Sequence, residues 1–173
     1  KLLGFPCTDG NTNYTNYKYY ISSSSNAGNS TKQLCLPDMA AGNKTLLGLP
    51  QMFIDEANAY GFTVDVNRSA SGTSSTNEGI RVYASLSDTI DASAVELGFL
   101  YRNYGQTDGK VVVAESETGW YTYEFAIPLS GNVRILLQGE SQYGSSTYMD
   151  NFRVRQLPTC DKVTGVEVSD ITT

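Results

Sequence analysis

Short runs of alternating apolar and polar residues, each closed off by a turn cluster, recur from Lys32 onward and limit the possible folds more than any other feature. Tyr60, Phe62, Val64 and Val66 share one face, as do Ile80, Val82 and Ala84; Val95, Leu97, Phe99 and Tyr101; and Val133, Ile135 and Leu137. A period of two is that of a strand with one face buried. Further strand-like runs occupy 33–36, 46–53, 110–115, 120–127 and 147–155, and turn clusters at 69–77, 106–109, 130–131 and 142–146 separate them. About nine or ten strands at regular spacing, with no helical periodicity between them, predict an all-β sandwich of two antiparallel sheets. Only 54–59 has a helical flavour, enough for a single turn.

The composition agrees. A chain of 173 residues that is 40% hydrophobic can bury one substantial core. Charged residues make up only 17%, while Ser, Thr, Asn, Gly and Tyr abound, which suits strands joined by polar turns. A net charge of −6 argues against nucleic acid, whose phosphates need clustered Lys and Arg. No run approaches the roughly 20 apolar residues of a membrane-spanning helix, so membrane insertion is not expected. The chain opens at Lys1 without a charged-then-apolar secretion signal, so either a signal was removed or the sequence starts inside a longer polypeptide, and the tail from Pro158 onward favours the second.

Histidine is absent, which removes Ser-His-Asp and Cys-His catalysis and most transition-metal sites together. The three cysteines, Cys7, Cys35 and Cys160, permit one disulfide in three pairings, and none lies in a C-x-x-C suited to structural zinc. The acidic pairs Asp55/Glu56 and Glu115/Glu117 could in principle be the acid and nucleophile of a glycosidase, but solvated loop carboxylates explain them better.

The run Tyr148-Met149-Asp150-Asn151-Phe152-Arg153-Val154 reads as the closing strand of the domain. Phe152 and Val154 alternate with Arg153 and Arg155, and counting back by two places Asp150 on the buried face. An inward carboxylate needs a cation or several hydrogen-bond donors, so Asp150 is a candidate cation ligand, with capping by backbone amides as the alternative. Pro158-Thr159-Cys160 breaks the pattern before the run Val163 to Thr173. The expected division is therefore a β-sandwich over 1–157 and a linker with the start of another module over 158–173.

Several motifs in order resemble the jelly-roll modules of the cleaved-adhesin and MAM-like group of bacterial surface proteins. They are Leu47-Gly-Leu-Pro50 at a strand entry, Trp120-Tyr-Thr-Tyr-Glu-Phe-Ala-Ile127, Gly131-Asn-Val-Arg-Ile135, and the closing strand Tyr148 to Val154. The resemblance covers roughly 45–157, and the tail looks like the run into a fibronectin type III domain. It implies a jelly-roll β-sandwich, galactose-binding-like or MAM-like, with a structural Ca2+ near Asp150, an ion that takes six to eight oxygen ligands. It also implies a secreted or bacterial cell-surface location and a monomeric, non-catalytic module within a larger chain, binding glycan or a host or matrix protein. The alternative is a structural spacer that positions a neighbouring enzyme or adhesin.

Binding candidates are aromatic. Pleat parity sets Trp120 opposite Tyr121, Tyr123, Phe125 and Ile127, where it could stack on a sugar ring, although a bulge at Gly119 would return it to the core. Tyr101, Tyr104 and Tyr143 lie at strand ends or turns and could form a binding rim, or could simply be exposed. In jelly rolls the first and last strands commonly lie side by side. With 14–21 as the first strand and 147–155 as the last, Cys7 and Cys160 become neighbours and Cys35 is left a buried thiol; Cys7 to Cys35 is the rival pairing.

Overall fold

Residues 18–23, 31–69, 78–103, 118–141 and 145–158 are described by the computed structural model. Ten strands occur among them: β1 (Tyr20–Ser22), β2 (Gln33–Leu36), β3 (Lys44–Gly48), β4 (Met52–Ile54), β5 (Tyr60–Arg68), β6 (Gly79–Ser85), β7 (Val95–Tyr101), β8 (Gly119–Ile127), β9 (Gly131–Glu140) and β10 (Thr147–Gln156). They form two antiparallel sheets, one ordered β1-β2-β10-β5-β8 and the other β3-β9-β6-β7, with β4 also on β9. The protein is an all-β jelly-roll sandwich. The expected strand at 110–115 lies outside the described residues.

Both sheets turn their apolar faces to one core. Phe62, Val64 and Val66 of β5 and Tyr121, Tyr123 and Phe125 of β8 meet Ile80, Val82 and Ala84 of β6 and Val133, Ile135 and Leu137 of β9. Phe62 stacks at 6.3 Å on Phe125 and at 6.4 Å on Phe152, so β5, β8 and β10 are joined through one ring. Each buried Val, Leu, Ile or Phe contributes about 1.5–3 kcal/mol, which is why the alternation in the sequence is so regular. Arg102 and Glu78 form a buried ion pair at 2.8 Å.

In four places the sequence reading needs correcting. The run 46–53 is two strands, because Pro50 has no N–H for the ladder. The side chains of Gln51 and Arg134 bridge the gap, donating to the carbonyls of Asn132 and Leu49 at 3.3 and 2.7 Å.

In β7 the alternation breaks at Leu97, the extra residue between the pairs Val82–Gly98 and Tyr83–Glu96. Beyond it Leu100 enters the core, while Phe99 and Tyr101 turn to the outer face. In β10 the register slips between Asp150, opposite Asp65, and Arg153, opposite Thr63. Asn151 there has φ 53°, the left-handed conformation of a bulge residue. Counting by two across this bulge fails. Phe152 and Val154 pack on the core, but Asp150 lies on the outer face, not the buried one.

Finally, β2 intervenes between β1 and β10, so the first described strand does not pair with the last. That removes the adjacency on which the Cys7–Cys160 pairing stood. Both cysteines lie outside the described residues, and Cys35 is a buried free thiol.

Candidate functional site

The outer face of the five-stranded sheet carries its side chains in rows, because residues that oppose each other in the ladder share a face. One row reads Trp120, Asn67, Tyr148, Cys35, Tyr20, across β8, β5, β10, β2 and β1. The next reads Thr122, Asp65, Asp150, and the one beyond it Glu124, Thr63, Arg153. An aromatic row thus borders a polar one, and a mixed-charge row follows.

Trp120 is half-buried on this face, and β8 pairs with β5 in unbroken register from Gly119 to Ile127. The bulge that would have turned Trp120 inward does not form. Tyr20 stays 44% exposed on the short strand β1, while Cys35, beneath it, is fully buried. A hydrogen bond with Cys35, with burial second, pushes the Tyr20 hydroxyl up to about 12. Burial also raises the Cys35 thiol, and a thiol held in its neutral form is a poor nucleophile.

In the polar row, Asp65 Oδ1 accepts from Thr122 Oγ1 at 2.6 Å and Oδ2 from Asn151 Nδ2 at 2.7 Å. Asp150 Oδ1 accepts from the Asn151 backbone N–H at 2.8 Å, whereas its Oδ2 is shielded from solvent with no hydrogen-bond partner. The bulge that moved Asp150 outward therefore also delivers Asn151, whose backbone N–H and side-chain amide each donate to one of the two carboxylates. Among the described residues no group of three or more acidic or cysteine side chains gathers as a metal site.

Of the predicted binding residues, Trp120 sits on this face and Tyr101 does not. Tyr101 stands on the outer face of the other sheet, its ring 4.7 Å from that of Phe99. Tyr104 and Tyr143 lie outside the described residues. The outer face around Tyr101 is occupied by its own charge network: Glu140 pairs with Lys44 at 3.4 Å and Arg81 at 2.9 Å, and Arg81 pairs with Glu96 at 2.7 Å. Sequence reasoning missed Tyr20, Tyr148, Asn67, Asp65 and Thr122. Asn67 and Asp65 were legible as the complement of the Phe62, Val64, Val66 stripe, but nothing local says that Tyr20 and Tyr148 share a row.

Such a face offers flat apolar plates beside hydrogen-bond acceptors, which is what an amphipathic, hydroxyl-rich ligand requires.

No protein-family model matches the sequence, and no curated protein does. Solved structures do share the fold. The K1 cleaved adhesin domain of Lys-gingipain from Porphyromonas gingivalis W83 matches with TM-score 0.55 at 14% identity, over 91% of this chain and 95% of that one. The K3 cleaved adhesin domain of the same protein gives TM-score 0.51 at 17% identity, over 78% of each chain. A family 16 carbohydrate-binding module gives 0.46 at 16% identity, over 82% of this chain and 87% of that one.

Proposed function

We propose that this chain is a non-catalytic binding module of a secreted or cell-surface protein, and that it takes a glycan on the outer face of its five-stranded sheet. The observation that carries this reading is the row of Trp120, Tyr148 and Tyr20 beside the polar row of Thr122, Asp65 and Asp150. Sharing a fold with the cleaved adhesin domains of Lys-gingipain supports a role in binding, and adhesion to a host or matrix protein belongs to the same reading. So does a place in a larger chain, with 158–173 as linker and start of a fibronectin type III-like module. Calcium enters as a staple only. Asp150 and Asp65 would hold it, with backbone and water oxygens completing the six to eight ligands such an ion takes, and the partnerless Asp150 Oδ2 favours it.

The test is a glycan array with the 173-residue chain beside a Trp120→Ala, Tyr148→Ala double variant. Binding by the wild type that the variant loses, with an unchanged melting profile, is the expected result. No glycan signal from a folded wild type, or equal signal from both proteins, overturns the assignment.

A further inference from the structure

The aromatic row has a period. Its aromatic members stand on β1, β10 and β8, every second strand, with Cys35 of β2 and Asn67 of β5 between them. Neighbouring strands lie about 4.8 Å apart, so the aromatic positions repeat at about 10 Å and the row spans about 19 Å between its outer Cα atoms.

We propose that this face takes a neutral glycan chain joined through equatorial 1,4 bonds, laid across the strands with one sugar over each of the five and every second ring against an aromatic side chain. The proposal rests on the glycan reading and narrows it to a linkage, a charge and a length. A pyranose linked through equatorial oxygens at both ends advances an extended chain by close to one strand spacing, and successive rings turn over. Every second ring then shows the same face to the sheet, at the spacing of the aromatic positions. A chain with an axial bond at each link curls and leaves this register after a ring or two.

The polar row sets the charge. It lies two residues further along each strand, about 7 Å from the aromatic row, where it meets the edge of a chain so placed. Thr122, Asp65 and Asp150 present hydroxyl and carboxylate oxygens to sugar hydroxyls. Without a cation between them, the two opposed carboxylates, on a protein of net charge −6, repel uronate or sulfate groups, so the acidic control is read in the presence of chelator.

Calorimetric titration of the intact chain tests this with oligosaccharides of two to six sugars. The probes are cello-, manno- and xylo-oligosaccharides, with malto-oligosaccharides as the axially linked control and β-1,4-oligomannuronate as the acidic one. At least one neutral equatorial series should gain affinity up to five sugars and level off, with both controls weaker by about 10-fold or more. Tyr20→Ala and Trp120→Ala, at opposite ends of the row, should each weaken the pentasaccharide by about 10-fold and bring the plateau down to about three sugars. Should Trp120→Ala unfold in a melt, Trp120→Phe keeps a smaller plate and should lose less.

Affinity that saturates at one or two sugars, maltopentaose that binds as well, or end variants with an unchanged plateau would overturn the track while leaving glycan binding in place. Binding to no glycan at all would remove both.

Discussion

At the scale of single residues, the site depends on where one carboxylate points and what one hydroxyl touches. Asp150 is outward because Asn151 spends a left-handed residue in front of it, and its Oδ2 is left without a donor. If a calcium ion neutralises that oxygen, it binds the native state alone and stabilises by mass action. Chelator should then lower the melting temperature of the wild type and leave Asp150→Ala unaffected. An equal response in the two proteins, or no response in the wild type, removes calcium from the account.

Tyr20 supplies a second measurement. Its hydroxyl is raised from 10.0 to about 12, first by the hydrogen bond with Cys35. Because the folded state holds this proton longer than the unfolded one, the stability it adds is intact below about pH 10. It disappears as the pH climbs through about 12. An absorbance titration of wild type against Tyr20→Phe should therefore show one phenol ionising late, and Cys35→Ala should bring it back toward 10.0. A Tyr20 that ionises with the bulk of the tyrosines contradicts the contact with Cys35.

At the scale of elements, two bulges and one proline shape strands that the alternation alone would draw as straight and regular. Leu97 in β7 and Asn151 in β10 each shift the pleat by one, and each sends to the outer face a residue the sequence pattern put inside. The pairing of β6 with β7 leaves its own test. Gly79 has φ +150°, and a Cβ there would sit 2.0 Å from the Leu100 carbonyl oxygen and 2.8 Å from Phe99 Cε1. Backbone cannot yield as a flexible side chain can. Gly79→Ala should cost about 3 kcal/mol, combining strained backbone with overpacking. For a domain of this size that lowers the melting temperature by roughly 6–12 °C. A loss below 1 °C would mean that β6 and β7 are not paired in this register.

At the scale of the whole molecule, the last described strand is not a border but the middle of a sheet. β10 lies between β2 and β5, so among the described residues the pair β1-β2 reaches the rest of its sheet only through β10, more than 100 residues further along the chain. Contacts this distant in sequence form late and hold cooperatively. A chain ending at Glu140 loses Met149 and Phe152 from the core and leaves the facing edges of β2 and β5 bare. It should show no cooperative thermal transition by circular dichroism, whereas a chain ending at Pro158 should melt cooperatively. A cooperative melt from the shorter chain would show that the sheet closes without β10.

Alternation by itself determined that this protein is all-β, where most of its strands run, and which faces of β5, β6, β8 and β9 are buried, because burying one face of a pleated strand imprints a period of two on the residues themselves. It also set Trp120 opposite the core stripe of its own strand. Only the tertiary structure decided that Trp120 shares a row with Tyr148 and Tyr20 and that Tyr101 stands on the other sheet. Cross-strand neighbours come from register between segments far apart in the chain, and one extra residue in a strand reverses every face beyond it while leaving the local pattern almost unchanged.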